Sequence, residues 1–207
     1  MSIDAVFFDI GGVLVHADLH RYTEVAGSLF GCGPEAVVEV AGPLIPELET
    51  GNIDSLGFWR VVGERLWARG LGTPVEKEKY RWLWRDILKA SLRLDLHVLH
   101  LSWTLARKHL VVGALSNTIA DHAAELKEVG AYEPFHPLIL SFEHGLRKPD
   151  PAFFELAMQK VGMQGKRCLL IDDLEQNIEA ARRAGWKTHL FVSYEALRKD
   201  LERLRLL

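Results

Sequence analysis

Three aspartates in two distant parts of the chain each follow an apolar segment that is short enough to be a buried β-strand. Asp9 comes directly after the apolar run at residues 5–8, and Asp172 and Asp173 follow the run at residues 168–171. A carboxylate that is buried in its ionised form without a partner costs several kcal/mol. Because hard divalent cations prefer carboxylate oxygens as ligands, the three acids predict a site for an ion such as Mg²⁺. Such a site makes the chain a candidate enzyme.

Two further segments carry side chains suited to a phosphate group. Ser116 and Asn117 follow an apolar run and precede a helical pattern, where a hydroxyl and free backbone amides can bind a phosphate oxygen. Taken alone, this pair is more typical of a helix N-cap. Lys148 precedes Pro149, which favours an extended backbone, so its ammonium can act as a fixed positive charge on a phosphoryl group.

Short apolar segments alternate with helical patterns along most of the chain. The apolar segments predict strands that are buried on both faces, at residues 5–10, 110–115, 138–142, 168–171 and 188–192. Capping residues and apolar spacing predict helices at residues 119–129, 151–161, 174–184 and 194–207. This alternation predicts an α/β fold with a doubly wound, Rossmann-like parallel sheet, which binds ligands at the carboxyl ends of its strands.

The region from residue 16 to residue 90 interrupts this alternation. Apolar and aromatic side chains recur there at three- and four-residue steps, which indicates amphipathic helices. They include Phe58, Trp59, Leu66, Trp67, Tyr80, Trp82, Leu83, Trp84 and Ile87. We therefore predict a helical cap domain at residues 16–90, inserted into an α/β core domain formed by residues 1–15 and 91–207. The aromatic side chains are expected to form the core of the cap rather than a ligand cage.

Four motifs follow four of the predicted strands in order along the chain. They are Phe8-Asp9-Ile10-Gly11-Gly12-Val13, Leu115-Ser116-Asn117-Thr118, Gly145-Leu146-Arg147-Lys148-Pro149-Asp150-Pro151 and Ile171-Asp172-Asp173-Leu174-Glu175-Gln176-Asn177-Ile178. In this order and spacing they resemble the haloacid dehalogenase superfamily, whose members are mostly phosphatases. The likeness is closer to the branch that contains sugar-phosphate phosphatases and the N-terminal phosphatase domain of soluble epoxide hydrolases, and it includes the helical cap.

The resemblance implies a Mg²⁺-dependent phosphatase that hydrolyses a small phosphorylated metabolite, with a sugar phosphate as the expected substrate. Asp9 is then the nucleophile, and an aspartyl-phosphate intermediate divides a difficult hydrolysis into two steps. The resemblance implies that Asp9, the backbone carbonyl of Gly11 and Asp173 hold Mg²⁺, while Asp172 acts indirectly or through water. Asn177 is expected to orient this metal site.

The remaining motif residues are expected to act on the phosphate group. We assign catalysis to Asp9, Ser116 and Lys148, and contact with the substrate to Ser116, Asn117 and Lys148. Arg147 lies beside Lys148 in the sequence and is expected to form a surface contact or a salt bridge rather than to act as a catalyst.

One position departs from the pattern of most phosphatases in this superfamily. They carry an acid two residues after the nucleophile, which protonates the leaving oxygen and later activates water, whereas this chain has Gly11 there. General acid–base catalysis contributes about 10²–10⁴ in rate. A good leaving group, water, or another side chain must then compensate. His16 is a candidate acid or base because histidine titrates near neutral pH, although a role at the hinge of the cap is the favoured interpretation; His144 is a weaker candidate.

Two other functions remain compatible with the motifs. A 2-haloacid dehalogenase also uses an aspartate nucleophile and lacks the second acid. It needs no metal, however, and would leave Asp172 and Asp173 beside Asp9 without a neutralising cation. A non-catalytic module that binds a phosphorylated ligand or a protein partner is the other alternative, because Gly11 replaces the usual acid. The presence of the other motif residues argues against it.

The composition of the 207-residue chain narrows the class of partners. Its content of 48% apolar and 26% charged residues is typical of a globular protein, and its net charge of −3 gives no basic surface for nucleic acid. Its two cysteines do not form a disulfide framework, and no N-terminal apolar stretch is long enough for a signal peptide or a membrane span. We therefore expect a cytoplasmic monomer or homodimer that binds a small phosphate ester and neither nucleic acid nor a membrane.

Overall fold

A five-stranded parallel sheet forms the centre of the computed structural model, which describes residues 2–207. The strands of the chain are β1 (Ala5–Phe8), β2 (Val15–Ala17), β3 (Leu92–Leu94), β4 (Val111–Ser116), β5 (Leu138–Leu140), β6 (Cys168–Asp172) and β7 (Lys187–Leu190). The order in the sheet is β5-β4-β1-β6-β7, and every neighbouring pair is parallel. The predicted α/β fold with a Rossmann-like parallel sheet is confirmed.

Helices connect the strands and surround the sheet. They are α1 (Leu19–Phe30), α2 (Pro34–Ala41), α3 (Ile45–Glu49), α4 (Ser55–Ala68), α5 (Lys77–Ser91), α6 (Leu96–Ala106), α7 (Ala120–Glu128), α8 (Ser141–His144), α9 (Pro151–Val161), α10 (Glu175–Arg183) and α11 (Tyr194–Arg203). The bounds of α9 match the prediction because the Asp150 side chain caps its first turn and Gly162, with a φ of 64°, ends it. Among the helices of residues 2–207, none has the length and apolar character needed to span a bilayer.

Two hydrophobic clusters cover the two faces of the sheet. Successive residues of β1 alternate between them, so that Val6 and Phe8 belong to one cluster while Ala5 and Phe7 belong to the other. Helices α6, α7 and α11 contribute to the first cluster, and α9 and α10 contribute to the second. Because both faces are covered, polar groups of the central strands are accessible chiefly at the strand ends.

The helices α1 to α5, which we call the cap helices, pack around a third cluster. Its buried side chains include Phe58, Trp59, Leu66, Tyr80, Leu83, Trp84 and Ile87. Trp67 and Trp82 differ from the expectation, since they are 58% and 53% exposed. The guanidinium of Arg85 lies 5.7 Å from the centre of the Trp82 ring, which gives that ring a partner at the surface.

Strand β2 precedes the cap helices along the chain and β3 follows them. The two strands form a separate antiparallel pair, with Val15 opposite Leu94 and Ala17 opposite Leu92. The sequence did not predict these two strands or helix α6. The domain boundaries predicted after residues 15 and 90 fall within or near this pair and stay a prediction.

The strand predicted at residues 138–142 is too long. Strand β5 ends at Leu140, and α8 follows it directly. The Ser141 hydroxyl accepts a hydrogen bond from the amide of Thr118 and donates one to the Thr118 carbonyl, at 2.9 Å and 3.1 Å. Both bonds tie Ser141 to the loop after β4, so the chain leaves the sheet at this residue.

Candidate active site

The carboxyl ends of β1 and β6 bring three aspartates together. Phe8 pairs with Ile171 in the parallel register, and the Asp9 amide donates to the Ile171 carbonyl over 2.8 Å. Asp9, Asp172 and Asp173 each offer a carboxylate oxygen, and these oxygens lie within 4.8 Å of one another. Asp9 and Asp172 are buried and Asp173 is half-buried. The acids from the two predicted strand ends therefore lie at one place.

Lys148 supplies a buried positive charge to this cluster. Its side chain has no exposed surface, and its Nζ lies 2.9 Å from Oδ1 of Asp9 and 2.6 Å from Oδ2 of Asp172. Burial disfavours the charged amine, but the two carboxylates outweigh it and raise the pKa of Lys148 above its usual value. Burial raises the pKa of Asp9 to about 7, although the Lys148 ammonium opposes this rise and Asp172 reinforces it.

Asn117 holds the backbone of Lys148 in place. The Lys148 amide donates to Oδ1 of Asn117 at 2.8 Å, and Nδ2 of Asn117 donates to the Lys148 carbonyl at 2.9 Å. The side chain predicted to contact the substrate thus uses both ends of its amide to link the loop after β4 to the loop before α9. Ser116 is buried at the end of β4, and the predicted contacts of Ser116, Asn117 and Lys148 with a substrate stay a prediction.

Asp172 is surrounded by donors. The Leu174 amide and Nδ2 of Asn177 both donate to its Oδ1 at 2.9 Å, while Lys148 binds its Oδ2. A carboxylate with so many partners is suited to orienting its neighbours. The indirect role expected for Asp172 stays a prediction. Asn177 likewise acts on Asp172, and its own Oδ1 is buried without a hydrogen-bond partner within residues 2–207.

The cluster fits a hard divalent cation. The candidate ligand atoms are carboxylate oxygens, and when all three carboxylates are ionised the single ammonium of Lys148 leaves two negative charges uncompensated. Burial and the adjacent Asp172 raise the pKa of Asp173, which indicates the cost of holding this charge. Gly12 makes room for it: a Cβ on Gly12 would lie 2.0 Å from Oδ2 of Asp173, and Gly12 has a φ of 74°. Apart from the Gly-Gly pair itself, no sequence pattern predicts this close contact.

Gly11 leaves open space where most of the superfamily carries an acid. A Cβ built on Gly11 would meet no atom within 4 Å. Gly11 forms an isolated β-bridge with Val15, the first residue of β2. His16 is the next residue along this strand. The His16 side chain is 47% exposed, and its Nε2 lies 3.8 Å from Oδ2 of Asp95. His144, the weaker candidate, is half-buried at the end of α8.

The match to a protein family covers most of the chain. A family model described as haloacid dehalogenase-like hydrolase matches residues 3–185. The chain belongs to the haloacid dehalogenase-like hydrolase family. The superfamily inferred from the four motifs is thereby confirmed, and the protein is a hydrolase of this family; the sugar-phosphatase branch stays a prediction.

Several relatives resemble this haloacid dehalogenase-like hydrolase over most of its length. A protein of Mycobacterium tuberculosis (strain CDC 1551 / Oshkosh) that is named as a phosphatase is 31% identical over 196 residues, which cover 92% of this chain and 88% of the relative. A solved haloacid dehalogenase family enzyme of Bacteroides thetaiotaomicron, in complex with magnesium and inorganic phosphate, has a TM-score of 0.73 at 26% identity and covers 91% of this chain and 93% of its own. The L-2-haloacid dehalogenase of Xanthobacter autotrophicus, with chloropropionic acid covalently bound, shares the fold, with a TM-score of 0.64, 19% identity and coverage of 97% and 83%.

Proposed function

We propose that this hydrolase is a Mg²⁺-dependent phosphatase that acts on a small phosphate monoester, with a sugar phosphate as the expected substrate. The observation that carries the proposal is the cluster of three aspartates at the buried Lys148 ammonium, which in its fully ionised form is two positive charges short of neutrality. One divalent cation restores the balance. The relative named as a phosphatase and the related structure with magnesium and phosphate support this interpretation.

The proposed ligands of Mg²⁺ are Asp9, Asp173 and the backbone carbonyl of Gly11. The bound ion supplies charge neutralisation between the carboxylates and an incoming phosphate dianion. Asp172 contributes indirectly, because its oxygens are already bound by Lys148, Asn177 and the backbone. The half-buried Asp173 is more accessible to an ion than the buried Asp172, which fits this division of roles.

Asp9 is the proposed nucleophile. Its Oδ1 accepts a hydrogen bond from the Ile10 amide at 2.7 Å and forms an ion pair with Lys148 at 2.9 Å, which together orient the carboxylate. Oδ2 can then attack phosphorus in line with the ester oxygen, so that an Asp9–phosphate bond forms as the bond to the leaving oxygen breaks. Water subsequently attacks the phosphorus of the aspartyl-phosphate, which releases inorganic phosphate and restores Asp9.

Lys148 and Ser116 are the proposed phosphate-binding side chains. In this role the Lys148 ammonium stabilises the negative charge that develops on the phosphoryl oxygens, and its burial strengthens such an interaction relative to one in water. The hydroxyl of Ser116 and the backbone amides after β4 can donate to a further oxygen. Asn117 supports this arrangement because it holds the backbone of Lys148.

Proton transfer to the leaving oxygen is the step for which the loop after Asp9 provides no acidic side chain. Gly11 offers no side chain, so a water molecule, a good leaving group or His16 has to serve. His16 lies on β2, which follows the loop that carries Asp9 and Gly11. Its Nε2 lies 3.8 Å from Oδ2 of Asp95, which is too long for a hydrogen bond, so the half-exposed imidazole can turn towards solvent or the site.

A comparison of substrates and variants tests the proposal. Purified protein is assayed with p-nitrophenyl phosphate, glucose 1-phosphate and 2-chloropropionate, each with Mg²⁺ and with a chelator. We expect phosphate release that is lost with the chelator and in Asp9→Asn. Asp4→Asn is the matched control, since Asp4 precedes the opposite end of the same strand β1. Halide release that the chelator does not change would instead identify a dehalogenase. The absence of activity on all three substrates would favour a binding module.

A further inference from the structure

An ion pair joins the cap helices to the loop that carries Lys148. Nε of Arg147 lies 2.8 Å from Oε2 of Glu49, the last residue of α3. The two side chains are 31% and 18% exposed, so the contact is partly shielded from solvent. Arg147 immediately precedes Lys148, and a single residue step therefore separates the contact with the cap from the buried ammonium at Asp9.

The pair lies in a closely packed part of the interface between the cap helices and the sheet. A Cβ on Gly51 would be 2.7 Å from the Phe142 carbonyl oxygen, so the turn after α3 touches the backbone of α8 without room for a side chain. Burial raises the pKa of Glu49, while the Arg147 guanidinium and the Lys148 ammonium oppose this rise. The Glu49 carboxylate thus depends on Arg147 for its charge compensation.

The loop between α8 and α9 is fixed at three places. Asn117 binds the main chain of Lys148 from the sheet side, Asp9 and Asp172 bind its ammonium, and Glu49 binds Arg147 from the cap side. The first two contacts lie within the α/β core. Of these three contacts, only the one with Glu49 requires the cap helices to be seated, that is, packed against the α/β core.

We propose that Arg147 is a positioning residue that couples the seating of the cap helices to the location of the Lys148 ammonium. With the Glu49 contact made, the backbone at Lys148 is held against Asn117 and the ammonium stays between Asp9 and Asp172. Without it, the loop before α9 gains freedom and the ammonium is less often in place. This inference rests on the proposed function for its catalytic consequence, but its structural consequence can be measured without any substrate.

The same interface provides a matched control pair. Nε of Arg85 on α5 lies 2.9 Å from Oε1 of Glu125 on α7, with side chains that are 38% and 20% exposed. This pair also joins a cap helix to the core, and its N···O distance and exposure are close to those of Arg147 and Glu49, although Nε of Arg85 lacks the hydrogen-bond alignment that Nε of Arg147 has. Neither Arg85 nor Glu125 is next to Lys148 in the sequence. A merely structural role in docking the cap predicts the same effect when either pair is broken.

Two measurements on Arg147→Gln, Glu49→Gln and Arg85→Gln test the proposal. The first is hydrogen–deuterium exchange at the Lys148 amide, which donates to Asn117. We expect exchange at this amide to become about ten-fold faster in Arg147→Gln and Glu49→Gln and to stay within two-fold of wild type in Arg85→Gln. Equal exchange in all three variants would overturn the inference. Because no turnover is needed, this result stands even if the wild-type protein hydrolyses no phosphate ester, which would defeat the proposed function alone.

The second measurement separates kcat from KM with p-nitrophenyl phosphate. We expect Arg147→Gln to lower kcat about ten-fold, because misplacement of a catalytic group slows the chemical step, whereas Arg85→Gln changes chiefly KM. Arg147→Lys should recover part of kcat, and so should the charge-exchanged double variant Glu49→Arg with Arg147→Glu. If Arg147→Gln and Arg85→Gln share one pattern of kcat and KM, the positioning role is wrong. Thermal unfolding of each variant identifies any that fail to fold.

Discussion

The ammonium nitrogen of Lys148 lies 2.9 Å from Oδ1 of Asp9, although the lysine side chain has no exposed surface. A buried lysine is stable in its charged form only when carboxylates surround it, and Asp9 and Asp172 provide them. The same contacts fix the orientation of the proposed nucleophile. Stability and the proposed chemistry therefore depend on one shared group of charges.

The first prediction concerns Lys148→Met, which preserves the volume of the side chain and removes its charge. We expect kcat to fall by about 10²–10³ because the phosphoryl group loses a fixed cation. The free energy of unfolding should fall by about 3–5 kcal/mol because Asp9 and Asp172 lose their shared partner. Steady-state kinetics and urea unfolding measure both effects. The exposed Lys166→Met is the control, and a Lys148→Met enzyme with wild-type kcat would contradict the role of the ammonium.

The second prediction compares the two adjacent glycines. Gly12→Ala places a Cβ at the Asp173 carboxylate and imposes a left-handed backbone on alanine, which costs about 1–2 kcal/mol from the backbone alone. It should therefore destabilise the fold and weaken Mg²⁺ binding in isothermal titration calorimetry. Gly11→Ala should be tolerated, because its Cβ would meet nothing within 4 Å. Equal Mg²⁺ affinity in both variants would mean that Asp173 does not hold the ion.

The third prediction concerns the empty position at Gly11. Rates across a series of phosphate monoesters should depend steeply on the pKa of the leaving group, because no acid follows Asp9 at the usual distance. Gly11→Asp should raise the rates for alkyl phosphates by up to about 10²–10⁴ and flatten this dependence, since it supplies a general acid in open space. Gly11→Asn adds a side chain of similar size without an acid and should do neither. A wild-type enzyme that cleaves good and poor leaving groups equally fast would show that another group, such as His16, already protonates them.

The fourth prediction concerns pH and stability at the interface of the cap helices. Nε2 of His122 on α7 lies 3.0 Å from the Tyr22 hydroxyl on α1, and its ring packs edge-on against Trp84. Burial lowers the pKa of His122 from 6.5 to about 4. As the pH falls, His122 therefore becomes protonated near pH 6.5 in the unfolded chain but only near pH 4 in the folded chain. The free energy of unfolding should fall as pH drops through this interval, by up to about 3 kcal/mol from this group.

His122→Gln isolates this contribution from those of other titrating groups. The difference in the free energy of unfolding between wild type and His122→Gln should change with pH between about 6.5 and 4 and be constant above that interval. Urea unfolding at several pH values measures it, with the exposed His100→Gln as the control for loss of a histidine. A difference that does not vary with pH would show that His122 is free to take up a proton in the folded protein.

The sequence was most informative where a pattern has a single physical cause. Continuous apolar runs that are buried on both faces predicted all five strands of the sheet, because only a covered parallel sheet accommodates them. Asp9 and Asp172 could be expected to meet because parallel strands end at one edge. The register that pairs Phe8 with Ile171 determines how closely the two aspartates approach each other. This register depends on both strands and cannot be predicted from either segment alone.

The sequence was less informative where contacts join distant segments. Ser141 ends β5 by bonding to Thr118, and Asn117 uses its amide on Lys148, yet neither pairing has a local signal. Trp67 and Trp82 follow the same helical spacing as buried aromatic residues but lie at the surface, because periodicity alone does not show which neighbours cover a helix face. The contact of Arg147 with Glu49 joins residues 98 positions apart and required the structure.

A phosphorylated Asp9 is the species that the proposed mechanism requires, and trapping it is the most direct test. Wild-type protein is mixed with p-nitrophenyl phosphate and Mg²⁺, quenched in acid within one turnover, digested and analysed by mass spectrometry. We expect a peptide that contains Asp9 to carry one phosphoryl group, and we expect this adduct to be absent in Asp9→Asn and in the presence of a chelator. Phosphate release at full rate from Asp9→Asn, or a phosphoryl group on another residue, would contradict the proposed mechanism.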